Sequence, residues 1–325
     1  MPQASAGSGS GARARYRHEA LFYDGQSTFL ASTIPFIRDS VEAGEPILVV
    51  VGAEKIAGLR NELRSDADHV RFADMSEVGG NPARIIPFWQ AFVDEHSARS
   101  PRLRGIGEPI VATRSPAELE ECQLHEALLN IALADPNLWL MCAYDEASLA
   151  SDVLAEARRS HPFVQHDGRT SPSDAFSDGK DLITPLNRPL PDPPPDAAVM
   201  PIDRGTLLEL RNFVSARGGT AAGLSEARTA DLVLAVNEIA TNSLVHGGGR
   251  SRLLLWLVPG GVVCEIRDLG RIDDPLVGRI RPAPSRKDGR GIWLANQLCD
   301  LVQIRSTPRG TRVRLHVRGA TSPLR

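Results

Sequence analysis

The stretch NEIATNSLVHGGG, from Asn237 to Gly249, combines the apolar spacing of a buried helix with polar residues one turn apart. Glu238, Asn242 and His246 follow one another at four-residue intervals, so they lie along one edge of the apolar face. Asn inside a helix costs stability relative to Ala, which favours a specific role for Asn242. On this helix alone, solvated boundary residues remain the alternative. The three glycines end the helix and turn the chain.

Two segments further along supply groups that a phosphate ligand needs. The strand pair RLLLWLVPGGVVCEIRD ends at Asp268, and Leu269 and Gly270 follow directly. After a loop rich in Arg, Pro and Gly, Gly289 and Gly291 begin the helix of DGRGIWLANQLCDLV. The first turn of a helix has backbone N–H groups without partners, and glycine allows a ligand to approach them closely. This helix start therefore favours a phosphate group.

The order of these segments resembles the nucleotide-binding boxes of the GHKL superfamily, which includes gyrase, histidine kinases and MutL. A helix with Glu and Asn one turn apart comes first, the Asp-x-Gly strand end second, and the Gly-x-Gly helix start third. The short lid and the sequence NEIATNSLVHG are similar to the corresponding parts of the serine/threonine kinase domain of anti-sigma factors. This resemblance begins at about Asp203 and implies an α/β sandwich with a mixed sheet over residues 202–325.

The resemblance implies a role for each matching residue at an ATP site. Glu238 would be the general base that takes a proton from a hydroxyl group, and Asn242 would complete the coordination of Mg²⁺. Asp268 would accept the exocyclic amine of adenine. The resemblance also implies contacts of Gly270 beside adenine and Thr311 beneath it, and of Gly289, Arg290 and Gly291 at the phosphates. His246 is a further implied contact and has the least defined role.

The resemblance also places a lid at residues 271–288. Ile272 stands where the adenine box often has a second glycine. A β-branched residue restricts the backbone more than glycine does, so we predict a stiffer lid hinge than in histidine kinases.

Before residue 162, short apolar segments alternate with helical patterns. The five segments ALFYDG, ILVVVG, VRFADM, LRGIGEP and LWLMCAYD predict strands of a doubly wound parallel sheet that is covered on both faces. Ligands of such sheets bind beyond the carboxyl ends of the strands. Asp24, Asp74, Glu108 and Tyr144 lie at these ends and are candidate pocket residues. Helix caps and turns are the alternative reason for Asp and Gly at these positions.

This half of the chain resembles the MEDS domain, a sensory module related to RecA-like folds without the phosphate-binding loop. The matching segments, over residues 17–162, are HEALFYDG, GEPILVVV, ADMSEVGGNPARIIPFWQAFVD, RGIGEPI and ECQLHEALLN. No G-x-x-x-x-G-K-[ST] sequence follows any predicted strand, so we expect no nucleotide hydrolysis in this half. The resemblance implies sensing of a small molecule, with His18 among its contacts.

A proline-rich segment separates the two halves. Nine of the 24 prolines lie between Pro162 and Pro201, with PLPDPPPD at the centre. Such a sequence favours extended polyproline conformation over a packed core. We therefore predict a semi-rigid linker over residues 163–201 and a flexible tail over residues 1–16.

Composition and cysteine spacing restrict the class of protein. The net charge of -3, with 42% hydrophobic and 24% charged residues, favours a globular protein that does not bind nucleic acid directly. Cys122, Cys142, Cys264 and Cys299 form no CxxC pair, which favours buried reduced thiols over a zinc site or disulfides. The sequence shows no membrane span and no apolar core of a signal peptide, so we predict a cytoplasmic protein without membrane contact.

These patterns predict a two-domain regulator in which a sensory domain controls an ATP-dependent serine/threonine kinase. The resemblance implies that its partners are a sigma factor and an anti-sigma antagonist protein, and that the kinase half forms a homodimer. One alternative is a sensor histidine kinase with an acceptor such as His125, although His125-Glu126 lacks the proline and basic residue of acceptor motifs. The other is a non-catalytic module in which nucleotide sets the affinity for a partner.

Overall fold

The computed structural model describes residues 16–134, 137–166, 168–249, 251–283 and 289–319. The predicted tail therefore lies outside the described residues except for Tyr16. The chain forms two units, each built on its own β-sheet. No helix in the described ranges combines the length and apolar character that crossing a bilayer requires.

The first unit contains a seven-stranded sheet with the strand order β3-β2-β4-β5-β1-β6-β7. All pairings are parallel except that of β7 with β6. The strands are β1 Arg17–Tyr23, β2 Ile47–Val51, β3 Val70–Asp74, β4 Leu103–Gly107, β5 Leu138–Asp145, β6 Phe163–His166 and β7 Arg169–Pro172. The predicted doubly wound parallel sheet is confirmed, with two strands more than the sequence pattern indicated.

Helices cover both faces of this sheet. They are α1 Gly25–Glu42, α2 Ala53–Leu63, α3 Met75–Val78, α4 Ile85–His96, α5 Pro116–Ala132 and α6 Ser151–Ser160. Side chains alternate between the faces of a strand, so Ala20 and Phe22 of β1 pack towards α4, α5 and α6, whereas Leu21 and Tyr23 pack towards α1 and α2. The face towards α4, α5 and α6 is called the α5 core below.

The predicted linker contains regular structure at both of its ends. The β6–β7 hairpin extends the first sheet, and the short helix α7 Gly179–Ile183 packs on α5 through Leu182. Strand β8 Ala198–Ile202 belongs to the second sheet. Within the described residues, the longest part of the predicted linker without helix or strand is 187–197, which includes PLPDPPPD. Prolines remove backbone donors there, whereas FVQH of β6 retains the donors and apolar side chains that strand pairing needs.

The second unit contains a five-stranded sheet with the order β11-β12-β10-β9-β8. Its other strands are β9 Ser251–Val258, β10 Gly261–Asp268, β11 Leu301–Thr307 and β12 Gly310–Arg318. The helices α8 Leu207–Val214, α9 Glu226–His246 and α10 Arg290–Leu298 complete the sandwich, with Leu210, Ile239 and Ala295 in a shared core with the sheet. The α/β sandwich is confirmed, but its four described pairings are antiparallel, whereas the resemblance implies a mixed sheet. Tight turns join β9 to β10 and β11 to β12, and such turns impose antiparallel pairing.

The two units are joined by polar contacts at the end of α10. The guanidinium of Arg84 donates to the carbonyl oxygens of Asn296, Gln297 and Cys299 at 2.8–2.9 Å. These are the last carbonyls of α10, which lack partners within the helix. A cation at the negative end of the helix dipole is also stabilising, so the first unit caps a helix of the second.

Candidate functional site

The polar edge of α9 lies against the first turn of α10. Glu238 and Asn242 are half-buried, and Gly291 is buried beside them. A Cβ atom on Gly291 would lie 2.7 Å from Nδ2 of Asn242 and 3.1 Å from Oε2 of Glu238, so a larger residue would displace the Asn242 side chain. Gly289 precedes the helix with a φ of 84°, which glycine adopts without strain. The fold therefore brings these four predicted site residues together around exposed backbone N–H groups.

The carboxylate of Asp268 is held in place by two donors at the end of β10. The Ser243 hydroxyl of α9 donates to Oδ2, and the Gly270 N–H donates to Oδ1 at 2.8 Å. Each carboxylate oxygen retains a further lone pair for a ligand. Ser243 was not among the site residues predicted from the sequence, although it directly follows Asn242 on the same helix.

Thr311 lies beneath this strand end and is buried. Its hydroxyl donates to the Gly270 carbonyl oxygen at 2.9 Å and lies 3.1 Å from Oγ of Ser306. The resemblance implies that Thr311 supports Asp268 directly or through water. The two residues are paired between β10 and β12, and the direct hydrogen bond of the Thr311 hydroxyl is to Gly270, so it fixes the turn that follows the carboxylate.

Glycines allow the end of α9 to contact the end of β10. A Cβ on Gly270 would lie 2.6 Å from the His246 carbonyl oxygen, and one on Gly247 would lie 2.6 Å from Cβ of Asp268. Gly247, which the sequence indicated only as a helix terminator, is therefore also required for the position of Asp268. The His246 side chain is exposed, and its imidazole forms no hydrogen bond or ion pair within the described ranges. The structure thus brings the backbone of His246 to the cluster, whereas its side chain is exposed.

The base of the predicted lid is tethered to the sheet. The Ile272 N–H donates to Oγ of Ser306 at 2.8 Å, and the Ile272 side chain packs on the second-unit core. Further along, Leu276 and Ile280 pack against the α5 core of the first unit. Residues 284–288 of the predicted lid lie outside the described residues. The described part of the lid therefore contacts both units.

A buried ion pair fixes the lid to α5. Nη2 of Arg279 lies 2.6 Å from Oε2 of Glu121, and the other oxygen of Glu121 accepts from Arg305 of β11 at 2.6 Å. Burial lowers the pKa of the Arg279 guanidinium, and the Glu121 carboxylate opposes that shift. A single carboxylate of the first unit therefore binds both the lid and the sheet of the second.

A crevice of about 890 Å³ lies at the carboxyl ends of the first sheet. Glu108 is central to it, since Nζ of Lys55 lies 2.7 Å from both of its oxygens and the Tyr23 hydroxyl donates to it. Burial raises the pKa of Glu108, and the Lys55 ammonium opposes the shift. The second unit contributes part of the lining with Arg228, Asp300 and Arg318.

The structure divides the predicted sensory residues into two groups. Asp74 and Glu108 line the crevice, whereas Asp24 is exposed and lies outside its lining. His18 and Tyr144 are buried in the α5 core, where both rings lie near His161. His18 is separated from the crevice because it lies at the amino end of β1. Tyr144 is separated because its side chain points to the face that α5 covers.

Comparison with known families identifies both units. Residues 17–162 match the family model of MEDS, the methanogen/methylotroph, DcmR sensory domain. Residues 200–317 match the model of the histidine kinase-like ATPase domain. The chain joins a MEDS sensory domain to a histidine kinase-like ATPase domain. The MEDS and GHKL resemblances are thereby confirmed, and the two units are called the MEDS domain and the ATPase domain below.

Comparisons with individual proteins do not extend this assignment of the two domains. No curated protein matches the chain. The crystal structure of the RsbU and RsbW domains of Rv1364c from Mycobacterium tuberculosis is similar at 19% identity, with a TM-score of 0.27. The match covers 37% of this chain and 32% of that chain.

Proposed function

We propose that the ATPase domain is a serine/threonine kinase of the anti-sigma type, which phosphorylates an antagonist protein under the control of the MEDS domain. The observation that carries the proposal is the contact between Gly291 and the two polar side chains of α9, Glu238 and Asn242. This contact supports a site in which Glu238 is the general base, Asn242 is a ligand of a hard cation and the start of α10 binds phosphate.

The residues present fit an adenine nucleotide. Asp268 has lone pairs left to accept an amine, and its orientation is fixed by Ser243 and Gly270. At the other end of the site, Gly289 and Gly291 leave the start of α10 open to phosphate oxygens. The nine residues of α10 provide a dipole whose positive end points to that position.

In this proposal each polar residue of α9 has one task. Bound ATP supplies the phosphoryl group, and Mg²⁺ neutralises its charge. Asn242 offers its amide oxygen to that cation. Glu238, one turn earlier, accepts the proton of the substrate hydroxyl as the new P–O bond forms.

The position of His125 disfavours a sensor histidine kinase that uses this residue as its acceptor. This histidine is buried in the middle of α5, with 1% of its surface exposed. A phosphate acceptor must reach the nucleotide of a kinase domain, and His125 cannot do so while α5 remains folded on the sheet. The packing therefore supports a structural role for His125.

The contact between lid and α5 supports control by the MEDS domain. In GHKL-type sites the lid covers the nucleotide, and here Glu121 binds Arg279 of that lid. A ligand that shifts α5 would therefore change the freedom of the lid. The small-molecule ligand, the sigma factor, the antagonist, homodimerisation and a cytoplasmic location remain predictions from the sequence.

A phosphotransfer assay tests this function. The full chain is incubated with Mg²⁺, ATP labelled at the γ-phosphate and candidate antagonist proteins from the same genome. We expect acid-stable phosphate on the antagonist, lost in Glu238→Gln and retained in Glu209→Gln, which changes an exposed Glu of α8. Acid-labile phosphate on the chain itself would support the histidine kinase instead. Nucleotide binding without transfer to any protein would support the non-catalytic module.

A further inference from the structure

Four potential metal ligands meet in the α5 core of the MEDS domain. They are His18 of β1, Glu126 of α5, Cys142 of β5 and His161, which follows α6. Their ligand atoms all lie within 4.8 Å of one another, and each residue is at most 2% exposed. The cluster lies at a different place from the crevice around Glu108 and from the ATPase site.

Hydrogen bonds outside the cluster fix which ring nitrogens face its centre. Nδ1 of His161 lies 2.7 Å from the Ala157 carbonyl oxygen, which can only accept, so Nδ1 carries the proton. Nδ2 of Asn130 donates to the Ser160 carbonyl oxygen at 2.8 Å. Oδ1 of Asn130 therefore faces Nδ1 of His18, 3.0 Å away, and accepts its proton. Both neutral imidazoles thus present the lone pair of Nε2 to the cluster.

Glu126 faces these lone pairs without a hydrogen-bond donor. Its Oε2 lies 3.3 Å from Nε2 of His18 and 3.4 Å from Nε2 of His161. Among the described residues, neither carboxylate oxygen has a hydrogen-bond partner. A buried carboxylate that meets two nitrogen lone pairs is strongly unfavourable, unless a cation or added protons lie between them.

Three of the six distances between ligand atoms match a tetrahedral metal site, and all six are within 4.8 Å. Zinc bonds of about 2.0–2.3 Å in tetrahedral geometry place neighbouring ligand atoms roughly 3.3–3.8 Å apart. Nε2 of His18 lies 3.3 Å from Oε2 of Glu126 and 3.4 Å from Sγ of Cys142. Nε2 of His161 lies 3.4 Å from Oε2 of Glu126. The four groups can therefore bind one ion with little movement.

The chemistry of the ligands selects a transition metal. Two imidazoles and a thiolate are typical ligands of zinc and its neighbours, whereas Mg²⁺ and Ca²⁺ prefer oxygen ligands throughout. A divalent ion with one thiolate and one carboxylate gives a neutral complex, which suits a dry core. The contacts of Asn130 and Ala157 orient the two imidazoles, as hydrogen-bond partners of metal-binding histidines commonly do.

We propose that His18, Glu126, Cys142 and His161 form a binding site for a divalent transition-metal ion of the zinc type. Binding displaces the thiol proton of Cys142, which leaves to solvent. The dispersed positions explain why cysteine spacing did not indicate the site. The bound ion joins β1, β5 and α5 to the segment after α6. Its ligand Glu126 lies on α5, the helix that also contains Glu121.

Metal content and cobalt spectroscopy of the full chain test this site. The protein is produced in medium supplemented with zinc or with cobalt, then dialysed and analysed for bound metal. We expect a single zinc ion per chain. The cobalt form is expected to show the absorption of tetrahedral Co²⁺ and a thiolate-to-cobalt charge-transfer band.

Two cysteine variants identify the ligand. Cys142→Ala is expected to lose the charge-transfer band and to retain roughly a tenth or less of the metal. Cys122→Ala, which removes another buried thiol of the same domain, is expected to retain both. Glu126→Gln keeps the size of the side chain and is expected to lose the metal, which provides a second variant if Cys142→Ala does not fold. Absence of metal in the wild type, or an unchanged band in Cys142→Ala, would overturn the proposal.

Discussion

Glu121 of the MEDS domain and Arg279 of the ATPase lid form a buried ion pair, with 2.6 Å between Oε2 and Nη2. The side chains are 1% and 8% exposed, and Arg305, which binds the other oxygen of Glu121, is 2% exposed. Loss of the carboxylate would leave two arginines buried without their shared partner. Such a loss costs far more than loss of a surface pair.

We therefore expect Glu121→Gln to release the lid from the MEDS domain. The folded protein should lose about 3–5 kcal/mol of stability, because the charges of the two arginines stay buried. Hydrogen exchange followed by mass spectrometry should show faster exchange in residues 271–283.

The neighbouring Glu120→Gln is the control, since the Glu120 side chain is 47% exposed and lies 3.4 Å from Arg305. Its lid should exchange at the wild-type rate. Equal exchange rates in Glu121→Gln and the wild type would show that this ion pair does not hold the lid.

The Ser243 hydroxyl orients Asp268, so Ser243→Ala should weaken nucleotide binding. A hydrogen bond to a charged group contributes about 1.5–3 kcal/mol, which corresponds to roughly tenfold or more in affinity. Isothermal titration with a non-hydrolysable ATP analogue measures the change.

Thr241→Ala removes a hydroxyl two residues earlier on α9, where the side chain is exposed and bonds only the Asn237 carbonyl oxygen. The affinity of the Thr241→Ala variant for the ATP analogue should equal that of the wild type. If Ser243→Ala also binds the analogue with unchanged affinity, Ser243 has no part in holding the carboxylate.

Gly291→Ala should impair the site by steric conflict. The added methyl group would lie 2.7 Å from Nδ2 of Asn242, so α9 and α10 must separate or Asn242 must change rotamer. Overpacking of this kind costs about 1–3 kcal/mol, and we expect a loss of roughly tenfold in affinity for the ATP analogue.

Gly52→Ala is the matched control, because no atom lies within 4 Å of the added Cβ and the φ of Gly52 is -65°. It should bind the analogue as the wild type does. Wild-type affinity in Gly291→Ala would mean that the nucleotide does not depend on this close contact.

The partly buried His316 of β12 should make stability depend on pH. Burial, with Arg314 and Arg318 nearby, lowers its pKa from 6.5 to about 4, and Glu118 opposes the shift. As pH falls below 6.5, the unfolded chain takes up a proton that the folded chain still excludes, so stability decreases until pH reaches about 4.

Urea unfolding at about pH 7 and about pH 4.5 measures this effect. In His316→Gln the loss of stability between the two conditions should be smaller by about 2–3 kcal/mol than in the wild type. His69→Gln, at an exposed position, should retain the full loss. An equal loss in His316→Gln and the wild type would contradict the lowered pKa.

Local patterns in the sequence predicted much of the fold. The uniformly apolar ILVVV forms the interior strand β2, and the four-residue spacing of Glu238 and Asn242 places both on one edge of α9. These predictions depend only on the periods of strands and helices. The start of α10 was likewise visible, because Gly289 and Gly291 are adjacent to the helix that they open.

Contacts between distant residues could not be predicted in this way. Ser243 and Asp268 meet only because α9 packs on the sheet, and Glu121 lies 158 positions from Arg279. The first part of the predicted linker forms the β6–β7 hairpin. This could not be predicted from the linker sequence, because β6 pairs with β1, which lies far away in the chain. The resemblance implied His18 as a contact of the sensed molecule, but its position at the start of β1 brings it to Cys142, which is 124 positions away in the sequence.

The affinity of the full chain for an ATP analogue in the presence of Mg²⁺ tests whether the ATPase domain binds its nucleotide at Asp268. We expect saturable binding in the wild type and in Asp39→Asn, an exposed position of α1. We expect a loss of roughly tenfold or more in Asp268→Asn, because an amide nitrogen cannot accept the hydrogen bonds that the lost carboxylate oxygen accepted. No binding by the wild type, or unchanged affinity in Asp268→Asn, would contradict it.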